Sequence, residues 1–435
     1  MDMIELIRKL TPLNRVFCSD DYDRAVSILC RLLPFEVIEY GEDEELNGWK
    51  IPPRWNPLEA KILRNRELIY DGMSHRLDLI ALSSAFRGTV DRDELRRHLY
   101  YDDRDPDAIP FHFRQQYRSW SRDWGFCVPK RFYDALEPGE YEVVIQTDEA
   151  AGSLKLLEYT HPGKLPHTVV LMSHLDHAGM ANDGVSGCAV GVEVMRRLRG
   201  RSTKYSYSLF LHQEVIGSEY YLGKMEPERR KLLLEGLFLE MLGSQTQIGL
   251  QNAPGTQTNF ETALAEVIER SELPHRRGEY GEVVVNGEYI WNTYGIPVAS
   301  LSRFPYPEYH SDRDDTGIIS AERLEEAVEL VIQAIDEMES SPVVVKRFSG
   351  NICTSNPKYD LYVDPGRTEL GTEVKDEEVL KLRRLMEMIP LLHRPVSVRR
   401  LARELELAEE HALRYLRKWH ENDLVSLLLT SEGPN

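Results

Sequence analysis

Cysteine is scarce in this chain of 435 residues, which contains five, widely spaced and without a Cys-x-x-Cys pair. Disulfide frameworks and thiolate zinc sites both depend on repeated cysteine pairs. The chain also lacks a run of about 18 apolar residues, the length that a membrane helix requires. Its first nine residues, MDMIELIRK, are too charged for a signal peptide. We therefore expect a cytoplasmic protein with reduced cysteines and no membrane partner.

Positive charge is in deficit. Lys and Arg number 53 against 72 Asp and Glu, which gives a formal net charge of −19. Because affinity for nucleic acid depends on cations that neutralise phosphates, a protein that wraps nucleic acid is excluded. Hydrophobic residues make up 42% of the chain, enough for packed cores, so disorder as the main state is excluded as well.

From about Ser153 onward, short apolar segments alternate with segments of helical periodicity. The segments HTVVLMS, YSYSLFLH and GLFLEML have the composition of buried strands. This alternation predicts an α/β fold in which helices cover both faces of a mostly parallel sheet. A helix over Ala321–Met338 is predicted to end the unit, since its apolar residues recur at three- and four-residue spacing.

Changes in periodicity divide the chain into parts. Residues 1–48 and 146–345 are predicted to form one discontinuous α/β domain, and residues 49–145 an inserted, mostly β domain. Residues 346–374 are predicted to be a linker. Residues 375–435 have the pattern of three helices and a strand that is typical of a winged helix.

The tail is electrically neutral, with 11 basic and 11 acidic residues from 375 to 435. A neutral module on an acidic body is poorly suited to bind DNA. We therefore expect nucleic acid not to be a partner, and favour a protein contact, such as a homodimer interface, over a role in transcription.

One segment combines four groups that bind metals. SHLDHAGMANDGVSG, residues 173–187, directly follows an apolar strand and contains His174, Asp176, His177 and Asp183. Open α/β sheets place active sites at the carboxyl ends of strands. Imidazole and carboxylate together suit zinc at a hydrolytic site. The segment therefore predicts a metal site.

Three further residues are candidates in similar positions. Glu214 follows the strand YSYSLFLH, Glu240 lies in the apolar segment GLFLEML, and His310 lies in the loop PYPEYHSDRDD. Glu214 could equally be a carboxylate at a helix N-terminus, and His310 could be solvated. A buried Glu240 would require a cation or a proton.

The strings HLDHAGMANDGVSG, QEVIGSEYYL, LEMLGS, NGEYIWNTYGIPVASL and PEYHSDRDD occur in the order of the zinc aminopeptidase and glutamate carboxypeptidase family, whose relatives include glutaminyl cyclases. The chain resembles most closely the bacterial aminopeptidase-like proteins found near polysaccharide biosynthesis genes. Those proteins pair this fold with an inserted β domain and a C-terminal winged helix. WKIPPRW and IPFHFRQQYRSWSRDWGFC match the insert, so the resemblance covers nearly the whole chain.

The resemblance assigns roles at the matching positions. It implies one or two zinc ions, with Asp176 as the carboxylate that orients a ligand. The ligands that it implies are His174, Asp183, Glu214, Glu240 and His310. His177 remains an alternative ligand, because it lies beside the cluster.

One position departs from the family pattern. The family has two adjacent acids after the strand, whereas this chain has Gln213 and then Glu214. Either Glu214 is a ligand and another acid, Asp176 or Glu288, transfers the proton, or Glu214 is the base and the metal has fewer ligands. Arg303 and Tyr309 are candidates for binding a substrate carboxylate or an oxyanion, although Arg303 could equally form a salt bridge.

These observations predict a zinc-dependent, aminopeptidase-like hydrolase that cleaves an amide bond in a small peptide or an amino-acid conjugate. Two alternatives remain open. One is a catalytically inactive, peptidase-like protein that binds a ligand and acts through its winged helix. The other is a metal-dependent cyclotransferase.

Overall fold

A computed structural model describes residues 1–42, 44–255, 257–284, 286–364 and 377–428. The helices α1 to α13 are, in chain order, Met3–Leu10, Asp20–Cys30, Arg92–Arg97, Lys130–Asp134, Gly187–Leu198, Ile216–Lys224, Pro227–Arg230, Asn259–Arg270, Glu288–Thr293, Ala321–Ser340, Glu377–Met388, Val398–Glu404 and Glu409–Glu421. Within these ranges, no helix combines the length and the apolar character needed to cross a membrane.

The strands β1 to β19 are, in chain order, Glu36–Gly41, Glu45–Leu46, Trp49–Lys50, Arg54–Arg64, Glu67–Asp71, Phe86–Asp91, Leu99–Tyr100, Phe126–Cys127, Glu140–Ala150, Ser153–His161, Thr168–His174, Ser206–His212, Leu233–Leu239, Ile248–Gln251, His275–Gly278, Val298–Ser302, Val343–Lys346, Val396–Ser397 and Val425–Leu428.

The main sheet has eight strands in the order β1-β10-β12-β11-β13-β16-β14-β15. Its centre, β12-β11-β13-β16, is parallel, whereas β1 and β10 at one side pair in antiparallel fashion. The connections between parallel strands place helices on both faces of the sheet. The central strands are therefore apolar on both sides instead of alternating between apolar and polar residues. The predicted α/β fold with a mostly parallel central sheet is confirmed.

Helices cover both faces of this sheet. Along β11, Val169 and Leu171 belong to the core that α1, α5, α8 and α10 complete, whereas Val170 and Met172 belong to the core beneath α6 and α9. Successive residues of a strand point to opposite faces, so a strand with two cores must be apolar at every position. The predicted helix over residues 321–338 is observed as α10. Ser320 caps it by accepting a hydrogen bond from the backbone N–H of Arg323.

The segment between β1 and β10 forms a separate antiparallel sheet of four strands, β5-β4-β9-β6, with its own core around Trp55, Ile62, Phe126 and Val143. Strand β9 extends this sheet to Ala150, beyond the residue 146 at which the α/β domain was expected to resume. The division into domains stays a prediction.

The C-terminal segment packs α11, α12 and α13 against the antiparallel sheet β18-β17-β19. The central strand of this sheet, β17, directly follows α10 in the chain. The last helix of the main body therefore leads straight into the sheet of the C-terminal unit. Parts of the predicted linker and tail, residues 365–376 and 429–435, lie outside the described residues.

Gly187, the first residue of α5, shows how tightly this helix approaches the sheet. A Cβ atom there would lie 2.0 Å from the carbonyl oxygen of Leu239 and 2.6 Å from Oγ of Ser173. We expect Gly187→Ala to lower the free energy of unfolding by about 2 kcal/mol or more, because backbone atoms cannot yield as a side chain can. Urea denaturation measures the change. Gly41→Ala is the control, since no atom lies within 4 Å of the added methyl group. Equal unfolding midpoints for the two variants would contradict this account.

Candidate metal centre

The candidate residues gather at the carboxyl edge of the parallel strands. His174 is the last residue of β11, Glu214 lies two residues after β12, and Glu240 directly follows β13. His310 reaches the same edge from the loop that follows β16. Parallel neighbouring strands end at the same edge, so residues distant in sequence come together there.

Asp183 is the centre of this cluster. Its Oδ1 lies 3.1 Å from Nε2 of His174, and its Oδ2 lies 3.0 Å from Nε2 of His310. Burial alone would raise the pKa of Asp183, but the electrostatic interaction with His177 and the hydrogen bonds with His174 and His310 hold that pKa well below its ordinary value. One carboxylate thus joins two imidazoles, as it would in a site where it bridges two cations.

The loop that presents Asp183 is bent sharply. Gly184 has a φ of +86°, and a Cβ atom there would lie 2.5 Å from the carbonyl oxygen of His174. Such backbone is favourable only for glycine. The glycine therefore lets the loop pass directly over the end of β11.

Asp314 fixes the same loop from outside. Its carboxylate is buried and accepts hydrogen bonds from the backbone N–H groups of Asn182, at 2.6 Å, and of Asp183, at 3.0 Å. The hydroxyl of Tyr306 donates a further bond to it, at 2.7 Å. Asp314 lies four residues after His310 in the string PYPEYHSDRDD and had no predicted role. Its role as an acceptor for a loop 130 residues away carries no local signal.

Arg15 holds the segment between His174 and Asp183 in a comparable way. Its fully buried guanidinium donates to the carbonyl oxygens of Leu175, at 2.9 Å, His177, at 2.7 Å, and Met180, at 2.9 Å. Burial lowers the pKa of Arg15 to about 10, so it remains charged at neutral pH. Sequence analysis did not single out this residue.

Asp176, His177 and Glu214 form the second part of the cluster. Oδ1 of Asp176 lies 3.5 Å from Nδ1 of His174 and accepts the backbone N–H of Glu214, at 2.9 Å. His177 lies 2.9 Å from His174, measured between their Nδ1 atoms, and its Nε2 lies 3.6 Å from Oε2 of Glu214.

Two triads could each hold a cation by this spacing, and His177 belongs to both of them: His174, His177 and Asp183, and Asp176, His177 and Glu214. Burial lowers the pKa of His177 to about 4, which keeps its imidazole neutral, the form that binds metals. The structure thus brings His177, expected only as an alternative ligand, into the centre of the cluster.

Glu240 is fully buried, and neither of its carboxylate oxygens has a hydrogen-bond partner among the described residues. Burial and the nearby charge of Glu288 raise the pKa of Glu240 well above its ordinary value. A carboxylate in this situation requires a proton or a cation. The orphaned oxygens therefore fit a metal ligand.

Glu288 and Gln213 lie at the border of the cluster, both fully buried. Oε1 of Glu288 accepts the side-chain amide of Gln251, at 2.7 Å, and burial raises the pKa of Glu288 to about 7. The amide of Gln213 donates to the carbonyl oxygen of Phe17, at 2.9 Å. An amide cannot accept a proton from water, so Gln213 cannot replace an acid in general-base catalysis.

Residues 109–117, in the insert, cover the cluster. The backbone N–H of Phe111 donates to the carbonyl oxygen of His310, at 2.9 Å, and the ring of Phe111 lies 4.9 Å from that of His177. The hydroxyl of Tyr117 lies 3.5 Å from Oε2 of Glu214. Only the side chains of Glu214 and His310, at 19% and 22% exposure, remain partly open to solvent. A ligand would therefore approach the cluster past these two residues.

The two expected substrate-binding residues differ in their placement. Tyr309 stacks on His310 with ring centroids 3.8 Å apart. Burial and then the charges of Asp183 and Glu214 raise the pKa of Tyr309. The buried guanidinium of Arg303 instead donates to Glu326, at 2.6 Å, and to the carbonyl oxygen of Thr246, at 2.7 Å. The structure therefore does not place Arg303 in the cluster, because the acid of α10 binds its charge.

A family model described as a domain of unknown function, DUF4910, matches residues 4–341, which include every candidate ligand. The chain belongs to the DUF4910 family. A protein of Clostridium acetobutylicum described as a "Putative polysaccharide biosynthesis protein with aminopeptidase-like domain" is 26% identical over 352 residues, 78% of this chain and 78% of that protein.

Two solved structures show the same fold. A crystal structure titled as a "putative peptidase" of C. acetobutylicum is 21% identical and covers 98% of this chain and 96% of its own, with a TM-score of 0.75. A zinc aminopeptidase of Bacillus subtilis is 15% identical and covers 77% of this chain and 94% of its own, with a TM-score of 0.59. The DUF4910 chain thus has an aminopeptidase-like fold.

We expect Asp314→Asn to lower the free energy of unfolding by about 1–3 kcal/mol, because the new amide turns a donor toward a backbone N–H that has lost its acceptor. Urea denaturation measures the loss. Hydrogen exchange should quicken at the amides of Asn182 and Asp183. Asp315→Asn is the matched control, since the side chain of this exposed neighbour accepts a hydrogen bond from Gly317 and does not bind the loop of Asp183. Unchanged exchange at both amides would show that Asp314 does not hold the loop.

Proposed function

We propose that this protein is a zinc-dependent, aminopeptidase-like hydrolase that cleaves an amide bond in a small peptide or an amino-acid conjugate. The observation that carries the proposal is Asp183, whose two oxygens each contact Nε2 of a histidine, His174 and His310. The zinc aminopeptidase fold of a solved neighbour supports the choice of chemistry.

The residues present fit the metal. His174, Asp183 and Glu240 would hold one zinc ion and Glu214 and His310 a second, with His177 within reach of both. This donor set of imidazoles and carboxylates suits zinc, and the orphaned oxygens of Glu240 provide the negative charge that a cation requires. When bound, zinc would supply Lewis acidity that polarises the amide carbonyl and activates water.

The chain's own residues divide the remaining tasks. Asp176 orients His174 and, through the backbone N–H of Glu214, positions that residue. In the alternative in which Glu214 is not a zinc ligand, it is the acid of the cluster that solvent can reach, so it is placed to take a proton from water and return it to the leaving amine. Tyr309, which stacks on His310, would donate a hydrogen bond to a developing oxyanion.

The insert limits the size of the substrate. Phe111 and Phe113 contact His310 with ring centroids 5.4 and 5.5 Å apart, and Tyr117 contacts Glu214. These aromatic side chains occupy space above the cluster. A chain end or a small conjugate therefore fits the site better than the middle of a long polypeptide.

A second candidate function is ligand binding without catalysis. The observation that favours it is Gln213, which stands where the family has an acid and whose amide is engaged with Phe17. In this case, the site would bind a substrate-like molecule and the C-terminal unit would transmit the signal.

We also propose that the C-terminal unit is a winged helix that contacts protein rather than nucleic acid. Its three helices and three-stranded sheet support the assignment. On α12, Arg399 pairs with Glu337, and Arg403 pairs with Glu266, at 3.1 Å. These arginines are held by acids of the main body, so they are not available to neutralise phosphates.

We expect one or two zinc ions per chain in the purified protein, and a lower content in His310→Ala. The reason is that this substitution removes one donor of the cluster and the partner of Asp183. Elemental analysis after extensive dialysis measures the ratio. His275→Ala, which removes an exposed histidine of β15, should leave it unchanged. A protein that neither contains zinc nor binds added zinc would refute the hydrolase proposal.

We expect Glu214→Gln to lower kcat by about 100-fold or more on any amide that a screen of aminoacyl and dipeptide amides identifies, because a general base contributes about that much. Zinc content should be measured on the same samples. Retained zinc with lost turnover would identify Glu214 as the base, and loss of both would identify it as a ligand. The control is Glu228→Gln, on the surface. Turnover equal to that of the control would remove Glu214 from the mechanism.

A further inference from the structure

A cleft of about 540 Å³ lies between the main body and the C-terminal unit, away from the metal centre. The body contributes residues from β13, the N-terminus of α8 and the end of α9, and the C-terminal unit contributes residues on either side of β18. The residues that matter here are Glu235, Asn259, Asn292, Pro297, Arg394 and Arg400. A volume of this size is typical of small-molecule sites.

The carboxylate of Glu235, which lines the cleft, already has hydrogen-bond partners for both of its oxygens. It is buried, and its two oxygens accept the backbone N–H groups of Asn259, at 2.8 Å, and Phe260, at 3.0 Å. These groups form the first turn of α8, where a carboxylate is favourable. Glu235 therefore caps a helix rather than binding an arginine side chain.

Neither arginine of the cleft forms an ion pair with an acid among the described residues, although the charge of Glu235 acts on both. Arg394 donates to the carbonyl oxygens of Leu234 and Gly295, which are neutral. The buried Nε of Arg400 has no hydrogen-bond partner in the described part of the chain. Neither guanidinium forms an ion pair with a carboxylate there, although acids outnumber bases in this protein.

The arginines next to Arg400 do form ion pairs. Arg399 and Arg403, on the same helix α12, pair with Glu337 and Glu266. Arg400 instead faces a cleft whose walls include Leu234, Pro297 and Pro395. Two guanidinium groups against one capped carboxylate leave a positive excess in partly apolar surroundings, where an unpaired charge is costly.

We propose that this cleft binds a small molecule that carries an oxyanion, either a carboxylate or a phosphate. Arg400 supplies the planar fork of donors that matches two oxygens of such a group. Arg394, from the same unit, adds a second positive charge to the cleft. The apolar walls contact the remainder of the molecule. This site is independent of the proposed hydrolysis, because it shares no residue with the metal centre.

The test uses the full chain after treatment with a chelator, so that the anion cannot bind a metal. Thermal unfolding and isothermal titration calorimetry are recorded with sodium phosphate and with sodium acetate, at an ionic strength kept constant with sodium chloride. We expect a saturable rise in the unfolding temperature with at least one anion. Arg400→Gln should weaken binding by about tenfold or more, since a hydrogen bond to a charged group contributes that much.

Two further variants complete the design. Arg414→Gln removes an exposed arginine of α13 that pairs only with Glu410, and should leave binding unchanged. Arg400→Lys keeps the charge without the fork and serves if the glutamine variant does not fold; it should bind more weakly than wild type. Binding of phosphate alone would assign a phosphate ligand, and binding of acetate alone a carboxylate. The proposal is overturned if neither anion gives a saturable shift, or if Arg400→Gln and Arg414→Gln bind equally well.

Discussion

Asp183 lies between the imidazoles of His174 and His310, and the other acids of the cluster are held close to this group. The parallel strands bring Asp176, Asp183, Glu214 and Glu240 to one edge of the sheet, where the insert and the loops exclude most water. Carboxylates this close repel one another and lose hydration. The raised pKa values of Glu214, at about 7, and of Glu240 express that cost. A divalent cation would convert the repulsion into attraction, which is why the site fits a metal.

Two charged side chains hold the backbone of the loop between His174 and Asp183, and neither is a candidate ligand. Arg15 binds three carbonyl oxygens on one side of the loop, and Asp314 binds the N–H groups of its next residues. One residue thus satisfies acceptors and the other donors, so the loop stays fixed although it has no regular secondary structure over His177–Ala181. Ligands on such a loop are preorganised, because the loop need not be ordered when a cation binds.

Local patterns predicted the central apolar strands and α10, and they placed the candidate ligands after strands that end at one edge of the sheet. His174, Glu214 and Glu240 each end or follow an apolar strand, a pattern that is visible within a few residues of sequence. The sheet then brings the three side chains together, because the carboxyl ends of its parallel strands are aligned. Arg15, Asp314 and Tyr117 act across separations of about 100 residues or more in sequence. Nothing near them in the chain distinguishes them from ordinary polar residues.

Arg303 shows the converse case. Its proximity to His310 in sequence made it a candidate for substrate binding, with a salt bridge as the equal alternative, and its guanidinium donates to Glu326 of α10. Two strands cross the borders expected between units, because β9 runs to Ala150 and β17 to Lys346, each completing a sheet. A strand's end is decided by its partners, which sequence periodicity does not contain.

Two arginines of α12 bind the tail to the acidic main body. Arg399 pairs with Glu337 and Arg403 with Glu266, whereas Arg394 donates to carbonyl oxygens of the body. Ion pairs of this kind contribute little individually, but several along one helix fix the orientation in which the unit docks. On the same helix, Arg400 forms no ion pair with an acid in the described part of the chain. The end of α9 that lines the cleft belongs to the helix that begins at Glu288, beside the metal centre. An anion bound to Arg400 would therefore lie one short helix away from the acids of the proposed active site.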